Sequence, residues 1–136
     1  MTCYLQAFLF ELIQMLQLQY YQKYEKINSD GAARLIAGLY KTMGDFENAN
    51  SYYTKALLSD SRNISTLVDL ADIERETGNF NSALENGYEI LRICKTNQDS
   101  IDAYVLLTDI YIHQGKIDKA TELILKSQKT VSKGWL

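Results

Sequence analysis

The chain has few side chains that could do chemistry, and they are far apart in the sequence. His113 is the only histidine, and Cys3 and Cys94 are the only cysteines among 136 residues. A histidine can act as a general base or a metal ligand, but a zinc site needs several His, Cys or carboxylate ligands. Neither cysteine stands at the spacing of a metal or redox motif. The sequence therefore predicts no catalytic residue, no metal site, no cofactor and two reduced thiols.

The densest group of ionisable side chains is acidic and lies in the middle of the chain. Residues 64–100 carry three positive and seven negative charges, and the whole chain has a net charge of −3. Asp69 and Asp72 are three residues apart, which places them on one face of a helix. The oxygen spacing and the glycine turn of a calcium loop are missing. We do not expect nucleic acid as a partner, because its binding requires a basic stripe.

A repeat in the sequence indicates which elements carry these side chains. Gly44, Gly78 and Gly115 are 34 and 37 residues apart. A large apolar residue follows each glycine by two positions, and an alanine follows it by five. Glycine suits the left-handed residue that ends a helix, and alanine lets a second helix approach closely. Apolar residues recur three and four positions apart on both sides of the turn, which is helical periodicity. The alanines are Ala49, Ala83 and Ala120.

The repeat predicts two helices in each of three units. Asp45 and Asn79 directly follow a turn glycine, and each is expected to cap the helix that begins there. The predicted helices span about 30–43, 46–59, 65–77, 80–95, 99–114 and 117–131.

A seventh, longer helix is predicted before the repeats, over about 3–27. Polar residues such as Glu11 and Gln14 interrupt its apolar stretch, which is also shorter than the ~20 residues of a membrane span. We therefore expect no membrane span. We expect its apolar face to cover the open side of the first repeat. That face consists of Leu9, Leu12, Leu16, Tyr20, Tyr24 and Ile27.

The repeated features resemble the tetratricopeptide-repeat (TPR) family, whose unit is a 34-residue helix–turn–helix. The resemblance covers residues 30–132. It departs from the family pattern at Glu74, where tyrosine is usual, and at Gly87, where an aromatic is usual. It implies an all-α, TPR-like α-solenoid of three helix–turn–helix repeats preceded by one long N-terminal helix. The predicted divisions are a capping helix at 1–29 and repeats at 30–63, 64–100 and 101–136, the last with a short tail.

The resemblance also implies a function. In this family the first helix of each pair lines a concave surface that binds other proteins, so we expect a non-catalytic scaffold or adaptor that holds a peptide or helix of a partner. The acidic lining predicts a basic or mixed basic and apolar partner segment, whose apolar anchors would lie near Val68, Val105 and Leu106. The alternative for the aspartates is a solvated helix face. The implied groove residues are Arg34, Lys41, Val68, Asp69, Asp72, Arg75, Val105, Leu106 and Asp109.

Other interpretations remain open at this point. One alternative is an RNA-binding helical repeat, which has a similar period. Another is a small enzyme, but the sequence contains no pair of proton-transfer residues at a recognisable spacing. The last repeat has no polar cap after it. Trp135 and Leu136 could cover this end as a lid, a homodimer or larger assembly could cover it, or the chain could be a fragment of a longer protein. We expect a cytoplasmic location.

Overall fold

The computed structural model describes residues 2–26 and 29–134, and within these ranges the chain is all helical. Seven helices and no strand occur in the described part, as one long helix followed by three hairpins. This confirms the predicted fold class. Trp135 and Leu136, the predicted lid, lie outside the described residues, as does Ile27. The helices are α1 (Thr2–Glu25), α2 (Ser29–Thr42), α3 (Phe46–Ser59), α4 (Ile64–Glu76), α5 (Phe80–Ile93), α6 (Asn97–His113) and α7 (Ile117–Gly134).

The chain divides into two compact units, Met1–Ser61 and Arg62–Leu136. The first unit contains α1 and the hairpin α2–α3, and the second contains the hairpins α4–α5 and α6–α7. No helix in the described ranges has both the length and the apolarity that a membrane crossing requires.

The helix bounds agree with the predicted ones to within three residues, and α3 has the predicted bounds. At the link between α5 and α6 in the second unit, both helix bounds shift by two residues. Cys94 takes an extended conformation, with φ −63° and ψ 144°, so α5 ends earlier than predicted. The Thr96 hydroxyl accepts a hydrogen bond from the amide of Asp99 at 3.1 Å, so α6 begins earlier.

The three hairpins turn in the same way at their glycines. Gly44, Gly78 and Gly115 have φ of +79°, +82° and +75°, the left-handed region. In each turn, the amide after the glycine donates to a carbonyl five residues earlier, the bond that closes a Schellman motif. The three bonds are Asp45 N to Tyr40 O at 2.9 Å, Asn79 N to Glu74 O at 2.7 Å and Lys116 N to Tyr111 O at 2.8 Å.

Only one of the two predicted caps forms. The Asp45 carboxylate accepts a hydrogen bond from the amide of Asn48 at 3.2 Å, as predicted. Asn79 stands at the corresponding position, but its side chain does not cap α5. Its amide group donates instead to the Thr77 hydroxyl at 3.2 Å. The Thr77 hydroxyl thus holds the Asn79 side chain, which would otherwise accept a hydrogen bond from a backbone amide at the start of α5.

In the first unit, α1 packs on α2 with a different face from the predicted one. Gln14 is buried, and further along the helix Leu18, Tyr21 and Glu25 are half-buried. Glu25 also forms an ion pair with Lys55, which ties α1 to α3. The predicted face was wrong because its described members point away from α2 and remain exposed: Leu9, Leu12, Leu16, Tyr20 and Tyr24.

In the second unit, the two hairpins pack against each other through α5 and α6, with further contacts between α4 and α6. Gly87 on α5 is buried against Leu107 on α6, which is itself fully buried. A small residue at this point allows the two helices to approach closely. The core between α6 and α7 consists of Leu107, Tyr111, Ala120 and Leu123.

Candidate protein-binding groove

Helices α4 and α6 present side chains to a common hollow of about 240 Å³ in the second unit. The contributing residues are three or four positions apart on each helix, so each set lies on one helical face. The lining residues are Val68, Asp72 and Arg75 on α4 and Asp102, Val105, Leu106 and Asp109 on α6.

This hollow contains six of the nine groove residues predicted from the sequence. Among the other three, Asp69 is half-buried on α4 but does not line the hollow. Arg34 and Lys41 lie on α2 of the first unit, where Arg34 is exposed and Lys41 is half-buried. Asp102 lines the hollow although it stood outside the nine.

The hollow is acidic, but an arginine within it compensates part of its charge. Three aspartates and one arginine line it, a formal charge of −2. The Arg75 guanidinium forms an ion pair with Asp109 across the two helices and lies 3.7 Å from Asp72 Oδ1. The expected acidic centre is therefore a mixed cluster. Asp102, whose carboxylate accepts a bond from Gln98 at 2.9 Å, is the aspartate at its exposed edge.

The apolar residues of the hollow differ in how far a partner could reach them. Val105 is 63% exposed, whereas Leu106 is only 5% exposed and belongs to the core. The Leu106 side chain forms the floor of the hollow. Val68 is half-buried at the wall.

A second and larger hollow, of about 820 Å³, lies between α6 and α7. Val105 and Asp109 line both hollows, so the two adjoin along α6. Ile112 and Ile124 are about half exposed there. This hollow could not be found from the sequence, because the positions on α6 that face α7 follow only from the packing. Its other main lining residues are Ile101, Tyr104, Thr108 and Ser127.

The histidine and the two cysteines singled out in the sequence lie on or next to three different helices. His113 Nδ1 lies 2.8 Å from the backbone carbonyl oxygen of Asp109, one helical turn earlier. The Cys94 thiol donates to the Leu91 carbonyl at 3.4 Å, and Cys3 is exposed. In the part of the chain that the structure describes, no three His, Cys, Asp or Glu side chains are grouped as a metal site would require.

One carboxyl group outside the hollows has an unusual environment. Glu74, at the position where the family usually has tyrosine, is 5% exposed between α4 and α5. Burial raises its pKa to about 7, with a further rise from Glu85, although the hydrogen bond from Asn86 opposes the shift. That bond, from Asn86 Nδ2 to Glu74 Oε1, is 2.8 Å long. Glu74 therefore titrates near neutral pH.

Comparison with known proteins agrees with the hairpin geometry. The sequence model of the tetratricopeptide repeat matches residues 35–63, which include α3 and most of α2. No curated protein matches the sequence. Among solved structures, the crystal structure of MamA superimposes with a TM-score of 0.70 at 20% identity, over 81% of this chain. The chain spans 64% of the MamA chain, which has a TPR-like α-solenoid fold. The segment 35–63 is thus similar to a tetratricopeptide repeat, and the helical hairpins give the chain a fold similar to the TPR-like α-solenoid of MamA.

Proposed function

We propose that the chain is a non-catalytic protein-interaction module, which binds a partner segment along α6 of the second unit. The segment would carry an apolar side chain for the hollow between α6 and α7, and a Lys or Arg side chain for the hollow between α4 and α6. Tetratricopeptide-repeat proteins generally bind other proteins, and this proposal adds where the partner binds and which side chains it would carry.

The observation that carries the proposal is the position of Val105. Its side chain lines both hollows and is 63% exposed. Groups that a partner could bind lie on both sides of it. On one side lies a large hollow lined by Ile112 and Ile124, and on the other lie three carboxylates with one guanidinium. Peptide grooves combine apolar pockets with a small number of placed polar groups in this way.

The charge of the lining favours a protein over RNA as the partner. Binding of a phosphate backbone depends on Lys and Arg residues that displace its counterions. The smaller hollow has three aspartates against one arginine, Arg75, whose guanidinium already pairs with Asp109. Aromatic stacking of bases would be available only at Tyr104 in the larger hollow.

The proposal can be tested without knowing the natural partner. Peptides are selected from a random library on the immobilised chain, and the affinity of the selected peptides is measured by fluorescence polarisation. We expect them to combine an apolar residue with Lys or Arg. Val105→Lys and Asp102→Lys should each weaken binding about tenfold, which corresponds to about 1.4 kcal/mol.

The matched control is Leu125→Lys, because Leu125 is an apolar residue on α7 that is 54% exposed and lines neither hollow. It should change the affinity less than twofold. Far-UV circular dichroism checks that each variant is folded. Undiminished affinity of both the Val105→Lys and the Asp102→Lys proteins would remove the two hollows as the binding surface.

A further inference from the structure

The structure leaves a leucine stripe on α1 without a partner. Leu5, Leu9, Leu12 and Leu16 are 42% to 60% exposed. Their spacings of four, three and four residues place them along one side of the helix, as the a and d positions of a helix pair do. We propose that this surface, the leucine seam, binds the leucine seam of a second copy of the chain.

The leucine seam lies opposite the face with which α1 packs on α2. Gln14, Leu18, Tyr21 and Glu25, which are buried or half-buried, recur at intervals of three and four residues on that other face. At 100° per residue, Leu9 and Leu16 lie about 160° to 180° around the helix from Leu18. Folding of the first unit therefore uses one side of α1 and leaves the leucine seam free for another molecule.

The apolar area exposed on the seam side of α1 reaches the size of a small protein interface. Seven large apolar side chains lie within about 70° of the middle of the leucine seam and expose 42% to 68% of their surface: the four leucines, Phe8, Ile13 and Tyr20. With side chains of roughly 150–200 Å² each, their exposed area is on the order of 600 Å². The largest apolar patch on a typical monomer is about 300–600 Å², and a specific interface buries about 600–1,000 Å² on each partner.

The charge of the helix also permits pairing with an identical helix. Between Thr2 and Gln22, α1 has a single ionisable charge at pH 7, on Glu11. Glu11 lies near the side of α1 that faces α2, about 20° from Leu18, and away from the leucine seam. Two leucine seams can therefore come together without like charges meeting. Leucine side chains at such positions are self-complementary, as a two-fold interface requires.

The test is the molecular mass in solution, measured by sedimentation equilibrium from about 1 to 100 µM. The chain should approach twice its 15.6 kDa mass at the higher concentrations. The double variant Leu9→Lys, Leu12→Lys should remain monomeric, because both positions are exposed in the folded unit and would bring four lysines together. The matched control Leu58→Lys, at a leucine of α3 that is 84% exposed, should dimerise like the wild type.

A charge-swap experiment distinguishes loss of pairing from loss of folding. The variant Leu9→Glu, Leu12→Glu should also be monomeric alone, and its equimolar mixture with the Lys variant should give heterodimers. Misfolded chains could not restore pairing in this way. A wild type that is monomeric at 100 µM, a Lys variant that still dimerises, or a mixture that stays monomeric would each overturn the proposal.

Discussion

Gly87 on α5 lies so close to Leu107 on α6 that a methyl group at residue 87 would come within 2.6 Å of Leu107 Cδ2 and 2.9 Å of its Cγ. Leu107 is fully buried. The contact joins the two hairpins of the second unit, since α5 and α6 belong to different repeats. The glycine thus determines how closely the repeats stack.

Substitution of Gly87 by alanine should therefore destabilise the chain, although alanine favours a helix. Overpacking of a core costs about 1–3 kcal/mol, and the gain in helix propensity is about 1 kcal/mol. We expect Gly87→Ala to lower the free energy of unfolding by about 1 kcal/mol in urea titrations. In a Leu107→Ala background the methyl group has room, so the same change should stabilise the protein. Equal effects in the two backgrounds would contradict the close contact.

The raised pKa of Glu74 should make the stability of the chain depend on pH between about 4.5 and 7. The folded state binds the proton more tightly than the unfolded state, so the stabilising contribution is complete below pH 4.5. It is lost as the pH rises through 7, where the buried carboxyl group becomes charged. Glu74→Gln cannot ionise and should be more stable than the wild type by about 2–3 kcal/mol at pH 8, but not at pH 4.5.

Urea unfolding of the wild type and of Glu74→Gln at several pH values checks this prediction. Glu85→Gln is the control, because Glu85 is exposed and acts on Glu74 only through its charge. Its stability should keep most of the wild-type dependence on pH. The same pH dependence in Glu74→Gln and the wild type would show that Glu74 is not the responsible group.

Two asparagines at helix starts should respond differently to alanine substitution. The Asn63 side chain accepts hydrogen bonds from the Thr66 amide at 3.0 Å and the Thr66 hydroxyl at 3.1 Å, next to the core. Asn63→Ala should cost about 1 kcal/mol of unfolding free energy. Asn79→Ala should cost less, because the Asn79 side chain makes no capping bond. Thermal unfolding of both variants under the same conditions compares them, and an equal loss would refute the difference in capping.

The hairpins could be predicted from the sequence because their turns depend on local chemistry. A glycine at the left-handed position and an alanine five residues later are sufficient to place each turn and its second helix. Asn79 was an exception, since its side chain donates a hydrogen bond to the Thr77 hydroxyl and does not cap α5. Short-range competition of this kind is not evident from residue type alone.

The packing face of α1 could not be predicted, because apolar residues surround this helix. The stripe through Leu9, Leu12 and Leu16 is the more hydrophobic one, but the structure uses the side that contains Gln14 and Glu25. The ion pair of Glu25 with Lys55, which is 30 residues away, contributes to that choice. The position of Leu106 at the floor of the smaller hollow and the hollow between α6 and α7 also depend on tertiary contacts, so they could not be predicted from the sequence either.

Nuclear magnetic resonance tests most directly the proposed binding of a partner along α6 in the second unit. A selected peptide is titrated into the ¹⁵N-labelled chain, and the shifts of the backbone amides are mapped. We predict that the largest shifts fall at Asp102, Val105, Asp109 and Ile112 on α6 and at Val68 on α4. Shifts confined to α1, α3 or the outer side of α5 would contradict the proposed binding surface.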